Sequence, residues 1–201
     1  MNTLYQHLAG ESLNDALARL EAEIKARPAD ADLRAAFVQF LILSGNWARA
    51  LTQLKSWLAL KPQAKPTVTL LEQSIQGELQ RAQVMAGQAR PAMPETQWPW
   101  LTTLAAALSE EGERAQALRL EALEQAQATP GQITLENEET QAFDWLMDGD
   151  ARLGPVCETI VNGRYFWLPF NAIAEIRFQA PASRDRPGLA SRAGAPDGRD
   201  G

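Results

Sequence analysis

Residues 143–170 read FDWLMDGDARLGPVCETIVNGRYFWLPF, and within them the periodicity of the chain changes from helical to extended. The run Val156–Val161 alternates and is rich in β-branched residues, which is typical of a strand. Asn162-Gly163 follows, and this pair favours a two-residue hairpin turn because both turn residues must adopt a positive φ. Arg164–Pro169 then predicts the partner strand. A lone two-stranded hairpin is marginally stable, so we expect this one to pack on helices or to join a small sheet.

The two flanks of this hairpin have different patterns. On its N-terminal side, Ala142–Met147 predicts a short helix that ends at Gly149. On its C-terminal side, Ile173–Phe178 predicts a third strand, or a turn that leads into one. Residues 182–201 contain one large apolar side chain, Leu189. Because such a segment cannot bury a core, we expect it to be a disordered tail.

The N-terminal part of the chain carries an internal repeat. Equivalent positions recur at an offset of about 34 residues, which is the period of the tetratricopeptide (TPR) repeat. Each copy presents an apolar stripe along one helical face, begins with alanine, which allows close helix packing, and ends with a proline. The matching positions are Ala16, Leu17, Leu20, Ile24 and Pro28 in one copy and Ala50, Leu51, Leu54, Leu58 and Pro62 in the other.

The remaining helices follow from this repeat. Leu33–Leu43 predicts the facing helix, which ends at the turn residues Ser44-Gly45-Asn46. The turn spacing returns at Gly112–Ala117, and Pro130 lies beyond that helix. A degenerate unit between them is predicted from residues 66–87 and Pro99–Ser109, with a break at residues 91–94. The face expected to be buried on its first helix comprises Val68, Leu71, Ile75, Leu79 and Ala82.

These patterns predict a mainly α fold that is α+β overall. We expect residues 1–130 to form a TPR-like helical repeat domain, an α-α superhelix. Residues 131–181 are predicted to form a short helix with a small antiparallel β module, followed by the tail at 182–201. A generic helical bundle with a chance repeat remains the alternative to the TPR assignment.

The composition limits the class of protein. The 201 residues are 45% hydrophobic and carry a formal net charge of −6, so a core can form but the positive surface that nucleic acids and anionic membranes require is not expected. One cysteine and one histidine exclude an intrachain disulfide and a multi-histidine metal site. No apolar run approaches the ~18–20 residues that cross a bilayer, and no signal peptide is evident. We therefore expect a cytoplasmic protein without nucleic-acid or membrane partners.

The acidic residues Asp144, Asp148 and Asp150 permit two interpretations. Carboxylates can bind a divalent cation, which is the chemistry that a metal-dependent hydrolase would need. We favour a hydrogen-bonded acidic turn around Gly149, because the spacing does not match an EF-hand and no histidine accompanies it. Arg152 is then expected to pair with Asp148 or Asp150 and to stabilise the turn.

The other candidate residues have mainly structural interpretations. Cys157 lies in the first hairpin strand and is expected to be a buried free thiol, since no nearby histidine would activate it as a nucleophile. His7 is expected to be exposed on the first helix. Aromatic side chains often anchor partners in grooves, and we name Phe37, Phe40 and Trp47 as the first candidates for partner binding.

The segment Asp144–Arg177 resembles the ImpE/TagJ family, accessory proteins of bacterial type VI secretion systems. With the helices of Leu13–Pro62, which are similar to the opening helices of that family, the resemblance covers residues 1 to about 181. The family motif is carried by Asp144, Trp145, Asp148, Gly149, Asp150, Arg152, Leu153, Gly154, Pro155, Asn162 and Gly163, followed by Arg164, Tyr165 and Ile173–Arg177.

This resemblance implies a non-enzymatic adaptor that needs no cofactor. Similar proteins bind the N-terminal helix of the small subunit of the contractile sheath, and they are thought to link the sheath to the AAA+ ATPase that disassembles it. A helical-repeat groove is suited to an amphipathic helix. Family members usually continue with more β-structure where this chain has its polar tail, so we hypothesise a frameshift or truncation near Ala182. The alternatives are a metal-dependent hydrolase that uses Asp144, Asp148 and Asp150, and a general TPR scaffold unrelated to secretion.

Overall fold

The computed structural model describes residues 10–135 and 137–178, and within them six α-helices precede two β-hairpins. The predicted fold class, a helical repeat followed by a small β module, is confirmed. The expectations for His7 and for the tail at 182–201 lie outside the described residues. The helices are α1 (Leu13–Ala26), α2 (Ala31–Leu43), α3 (Trp47–Leu60), α4 (Lys65–Met85), α5 (Trp100–Ala106) and α6 (Gly112–Gln125). The strands are β1 (Gly131–Thr134), β2 (Thr140–Phe143), β3 (Val156–Val161) and β4 (Arg164–Pro169). Short 3₁₀ turns occupy Pro62–Ala64, Ala107–Ser109 and Phe170–Ala172.

Local capping defines the ends of the first helices. The Asp30 side chain accepts hydrogen bonds from the backbone amides of Asp32 and Leu33, both at 3.1 Å, and thereby begins α2. Gly45 ends α2 in the left-handed conformation, with a φ of 70°. The backbone amide of Asn46 then donates to the Leu41 carbonyl at 2.9 Å, which closes the turn that the glycine permits.

The apolar stripes of the repeat meet in one core. Helix α2 packs against both α1 and α3, and the predicted repeat positions Ala16, Leu20, Ala50 and Leu54 are fully buried. The rest of this core is also apolar: Ile24, Leu33, Phe37, Val38, Phe40, Leu41, Trp57, Ala64, Val68 and Ile75. The stripes therefore predicted the packing faces of α1 and α3 correctly.

The buried face of α4 differs from the prediction. Val68 and Ile75 are buried as expected, but Leu79 and Ala82 are exposed and Val84 is buried instead. The chain falls into two compact units: one runs to Leu79 and includes residues 160–164, and the other runs from Gln80. Because the two ends of α4 pack in different units, no single stripe describes the whole helix. The predicted domain boundary at residue 130 stays a prediction.

The helix predicted at Ala142–Met147 is wrong. Strands β1 and β2 form an antiparallel hairpin there, with Gly131 opposite Phe143 and Thr134 opposite Thr140. The Asn137 side chain accepts a hydrogen bond from the backbone amide of Glu139 at 3.1 Å and stabilises the turn between the strands. A segment as short as the predicted helix forms too few helical hydrogen bonds to offset its ordering, so the turn chemistry prevails.

The third strand predicted at Ile173–Phe178 does not form, because the edge of β4 is already occupied. The Ala92 amide donates to the Tyr165 carbonyl at 3.1 Å, and the Trp167 amide donates to the Ala92 carbonyl at 2.9 Å. The break predicted at residues 91–94 thus also supplies a parallel bridge to β4. In the described part of the chain, Ile173–Phe178 has no ladder partner.

None of the helices in the described part of the chain combines the length and the apolar character of a membrane-spanning segment.

Candidate functional site

The family motif begins with a tight turn that its own side chains stabilise. The Asp148 carboxylate accepts a hydrogen bond from the backbone amide of Asp150 at 2.7 Å, and the Asp148 amide donates to the Gly154 carbonyl at 2.7 Å. The Leu153 amide donates to the Asp150 carbonyl at 2.9 Å. Because short aspartate side chains can bond backbone amides two residues ahead, this sequence forms a turn. The predicted hydrogen-bonded acidic turn is therefore observed.

Arg152 pairs with Asp150, one of its two predicted partners. The guanidinium Nε lies 3.0 Å from each Asp150 carboxylate oxygen, and Nη2 lies 2.6 Å from Oδ2. These side-chain hydrogen bonds, with a further one from the Arg152 backbone amide, lower the pKa of Asp150 to about 2. The Asp150 carboxylate in turn raises the pKa of Arg152. This ion pair stabilises the turn, and we refer to residues 148–154 as the braced turn.

The motif aspartates do not form a metal cluster. Across residues 10–135 and 137–178, no three histidine, cysteine or acidic side chains converge in a way that could hold a metal ion. Asp148 is engaged by a backbone amide and Asp150 by Arg152. The geometry gives the metal-dependent hydrolase alternative no support, because the Asp148 and Asp150 carboxylates bind the protein itself.

The second half of the motif is built into the interior. Leu153, Gly154, Pro155 and Val156 are all buried, and the Phe170 amide donates to the Pro155 carbonyl at 3.0 Å. Gly154 adopts a φ of 56°, which favours glycine at this position. The motif thus consists of an exposed braced turn followed by a buried entry into β3.

A polar network centred on Glu158 anchors the β3–β4 hairpin. Arg81 on α4 binds the Glu158 carboxylate with both Nε at 2.7 Å and Nη2 at 3.0 Å, and the Tyr165 hydroxyl donates to the same carboxylate. The indole Nε1 of Trp167 donates to the Tyr165 hydroxyl oxygen at 2.8 Å. Burial, together with the hydrogen bond to Glu158, raises the pKa of Tyr165. Each of the four side chains of this network has a hydrogen-bond partner, which is what burial requires.

The turn of this hairpin has the predicted geometry. Asn162 and Gly163 have φ values of 51° and 80°, so both turn residues are left-handed as the Asn-Gly pair requires. The adjoining Ile160 side chain packs on Gly77 of α4 so closely that a Cβ added at Gly77 would lie 2.7 Å from the Ile160 Cδ1 atom. Neither Gly77 nor Arg81 could be predicted from local sequence, because each meets the hairpin only through a contact distant in sequence.

Cys157 is a free thiol, but it is half-buried rather than buried. Burial raises its pKa, and the nearby carboxylates of Asp148 and Glu158 raise it further. A raised pKa keeps the thiol protonated, so its surroundings favour the predicted structural role over a nucleophilic one.

The three side chains predicted to bind a partner occupy different environments. Phe37 and Phe40 are 2% and 0% exposed and belong to the α1–α3 core, where the Arg49 guanidinium covers the Phe37 ring at 5.0 Å. Their burial does not support the expectation that they line an open groove. Trp47 is half-buried at the start of α3 and retains an accessible surface.

The motif residue Trp145 is 63% exposed, the reverse of what a core aromatic shows. With Leu123 at the end of α6 and Met147, it lines a concavity of about 220 Å³. Trp145 was predicted as part of the family motif, but its exposure was not. The sequence feature that could have indicated this exposure is the position of Trp145 between Asp144 and the turn, because charged neighbours are typical of the protein surface.

Comparison with known proteins identifies the same part of the chain as the family motif does. Residues 140–186 match the family model described as ImpE protein. The type VI secretion system accessory component TagJ of Pseudomonas aeruginosa is 40% identical over 174 residues. The resemblance to the ImpE/TagJ family is confirmed. The aligned region covers 85% of this chain and 60% of TagJ, so the chain spans about three fifths of the length of that relative.

The fold also matches a crystal structure similar over most of this chain. Protein VPA1032 from Vibrio parahaemolyticus superposes with a TM-score of 0.76 at 26% sequence identity. The match covers 90% of this chain and 68% of VPA1032. The arrangement of helices and hairpins is thus shared with a chain of largely different sequence.

Proposed function

We propose that this protein is an accessory component of a type VI secretion system and acts as an adaptor rather than an enzyme. The observation that carries the proposal is the 40% identity to TagJ over 85% of the chain, which includes the braced turn and the β3–β4 hairpin. In the finer form of the proposal, it binds the N-terminal helix of the small sheath subunit and links the sheath to the AAA+ ATPase that disassembles it, in the cytoplasm.

The chemistry of the motif region supports an adaptor. Its charged side chains are held by other side chains: Asp150 pairs with Arg152, and Glu158 pairs with Arg81 and accepts a hydrogen bond from the Tyr165 hydroxyl. Groups held in such pairs have low freedom to act on a substrate, whereas they stabilise a fixed surface. The helical repeat that precedes them offers a rigid scaffold for a partner helix.

The experiment is a titration of the full chain with a labelled peptide of the small sheath subunit's N-terminal helix. We expect saturable binding at micromolar or tighter affinity and no binding of a scrambled peptide with the same composition. A folded sample that fails to bind the native peptide would contradict the sheath-binding form of the proposal. A pull-down of the AAA+ ATPase in the presence and absence of sheath subunits tests the linking role separately.

A variant pair separates Trp47 from nonspecific apolar contact. Trp47→Ala is expected to weaken binding of the sheath peptide about tenfold, the effect typical of an aromatic anchor. Leu43→Ala, at an exposed leucine of the same unit, is the control and should leave the affinity unchanged. Equal effects of the two variants would show that Trp47 is not a specific contact. Substituting Phe37 or Phe40 would test folding instead, because both side chains lie in the core.

A further inference from the structure

An exposed apolar surface lies beside the braced turn. It comprises Leu120, Leu123, Trp145 and Met147, which are 53%, 43%, 63% and 36% exposed, and we refer to these four residues as the Trp145 surface. Leu123, Trp145 and Met147 line the 220 Å³ concavity. Leu120 lies one helical turn before Leu123 on α6, so both project from the same side of the helix.

This surface is not part of the core of its unit. Helix α6 buries Ala115 and Ala122, and the motif buries Leu153 and Val156. The large side chains of the Trp145 surface remain in contact with water, and packing within the unit does not offset this unfavourable exposure of apolar area. A contiguous apolar surface with a large aromatic at a concavity is typical of a protein interaction site.

The charged residues next to the surface in the chain are mostly negative. Their carboxylates are all exposed: Glu121, Glu124, Asp144 and Asp148. The one basic neighbour is Arg119, which is half-buried beside Leu120, and Arg152 in the turn already pairs with Asp150. An apolar centre with a rim of predominantly one charge sign favours a partner of the opposite sign.

We propose that the Trp145 surface docks a basic amphipathic segment of a partner protein. An aliphatic or aromatic side chain of that segment occupies the concavity against Trp145, and flanking lysines or arginines face the carboxylate rim. Nucleic acids and anionic lipids do not fit, because their phosphates meet the same carboxylates. A second copy of this chain fits poorly, since it would place the two acidic rims against each other. The proposal does not depend on sheath binding.

The test uses a synthetic amphipathic peptide of leucine and lysine, labelled for fluorescence anisotropy, and the full chain. A peptide with glutamate in place of each lysine is the charge control. We expect saturable binding of the Leu/Lys peptide that weakens with added salt, and no binding of the Leu/Glu peptide. Trp145→Ser should weaken the Leu/Lys affinity about tenfold, as loss of a central aromatic anchor does. Leu43→Ser, at another exposed apolar residue, should leave it unchanged.

A second pair of variants tests the rim. Glu124→Lys reverses a charge beside Leu123 and is expected to weaken binding about threefold to tenfold, with a shallower dependence on salt. Glu113→Lys makes the same change at an exposed position at the start of α6 and is the matched control. Circular dichroism spectra and melting temperatures of all variants establish that they are folded. If Trp145→Ser does not fold, the pair Glu124→Lys and Glu113→Lys still tests the proposal.

Three outcomes would overturn the proposal. The wild-type chain fails to bind the Leu/Lys peptide; the surface variants and their controls weaken binding equally; or sedimentation shows a dimer that Trp145→Ser dissociates, which would make a second copy the occupant. Titrating the wild-type chain with both peptides keeps the two proposals distinct. Failure to bind the sheath peptide alone contradicts the sheath-binding form of the proposed function, and failure to bind the Leu/Lys peptide alone contradicts the Trp145 surface.

Discussion

The two β-hairpins of this protein are alike in topology but differ in what holds them. Every residue of β1 and β2 is exposed or half-buried, and the strands are held by their ladder and by the Phe143 ring over Gly131. By contrast, β4 alternates buried and half-buried residues after the exposed Arg164, with Tyr165 and Trp167 in the interior. A hairpin can therefore form without a buried face. The β3–β4 hairpin is in addition anchored to the interior by buried aromatic side chains and the Glu158 network.

The largest expected effect follows from removing the buried indole of the anchored hairpin. Trp167→Ala leaves a cavity and the Tyr165 hydroxyl without its donor, and should lower the free energy of unfolding by about 3–5 kcal/mol. The measurement is urea denaturation followed by circular dichroism. Trp145→Ala is the control at an exposed indole and should change stability by less than ~0.5 kcal/mol. Similar losses for both variants would break the distinction between anchored and exposed residues.

Disrupting the polar network should have the next largest effect. Glu158→Gln removes the charge that Arg81 and the Tyr165 hydroxyl both bind, and we expect a loss of about 1–3 kcal/mol. Glu139→Gln makes the same change at the exposed hairpin and should be nearly neutral. The two variants are compared by the denaturant midpoint, and a neutral Glu158→Gln would show that the network contributes nothing net.

Close packing at the tip of the anchored hairpin gives the third prediction. A methyl group at Gly77 meets the Ile160 side chain, so Gly77→Ala should destabilise by about 1–2 kcal/mol, although alanine is the better helix former. The double variant Gly77→Ala/Ile160→Ala should regain stability relative to Ile160→Ala alone, because the contact is then relieved. Gly149→Ala is the control, since a Cβ there meets no atom within 4 Å.

The buried tyrosine predicts a response to alkali. The pKa of Tyr165 is raised in the folded state, so the folded protein holds this proton more tightly than the unfolded chain, where tyrosine titrates near ~10. Below pH ~10 the titration of Tyr165 should therefore cause no pH dependence of the free energy of unfolding, and above it this free energy should fall as the pH rises. Tyr165→Phe should show a smaller decline, and an unchanged slope would contradict the assignment. Denaturation at several pH values measures both.

The smallest effect is expected at the exposed hairpin. Ile133 is 50% exposed on β1 and faces Gln141 across the ladder, so Ile133→Ser should change stability by less than ~0.5 kcal/mol. The readout is again the midpoint of urea denaturation. A loss above 1 kcal/mol would mean that this face is buried in solution, and hence that the two hairpins are anchored alike.

Local sequence was sufficient to predict the elements whose determining residues lie close together in the chain. The apolar stripes predicted α1 and α3 because a helix repeats its face every few residues, and Asn162-Gly163 predicted the anchored hairpin because few other pairs adopt two positive φ values. The exposed hairpin was missed, since β1 and β2 have only four residues each and no Asn-Gly pair joins them.

Only the tertiary structure decided which side chains are inside. Arg81 meets Glu158 across a separation of 77 residues, and Ala92 covers the edge of β4 that a third strand was expected to occupy. The same holds for aromatics: Phe40 fills a core and Trp145 faces water, although both are large apolar residues. Burial depends on which distant elements pack over a residue, and no local periodicity carries that information.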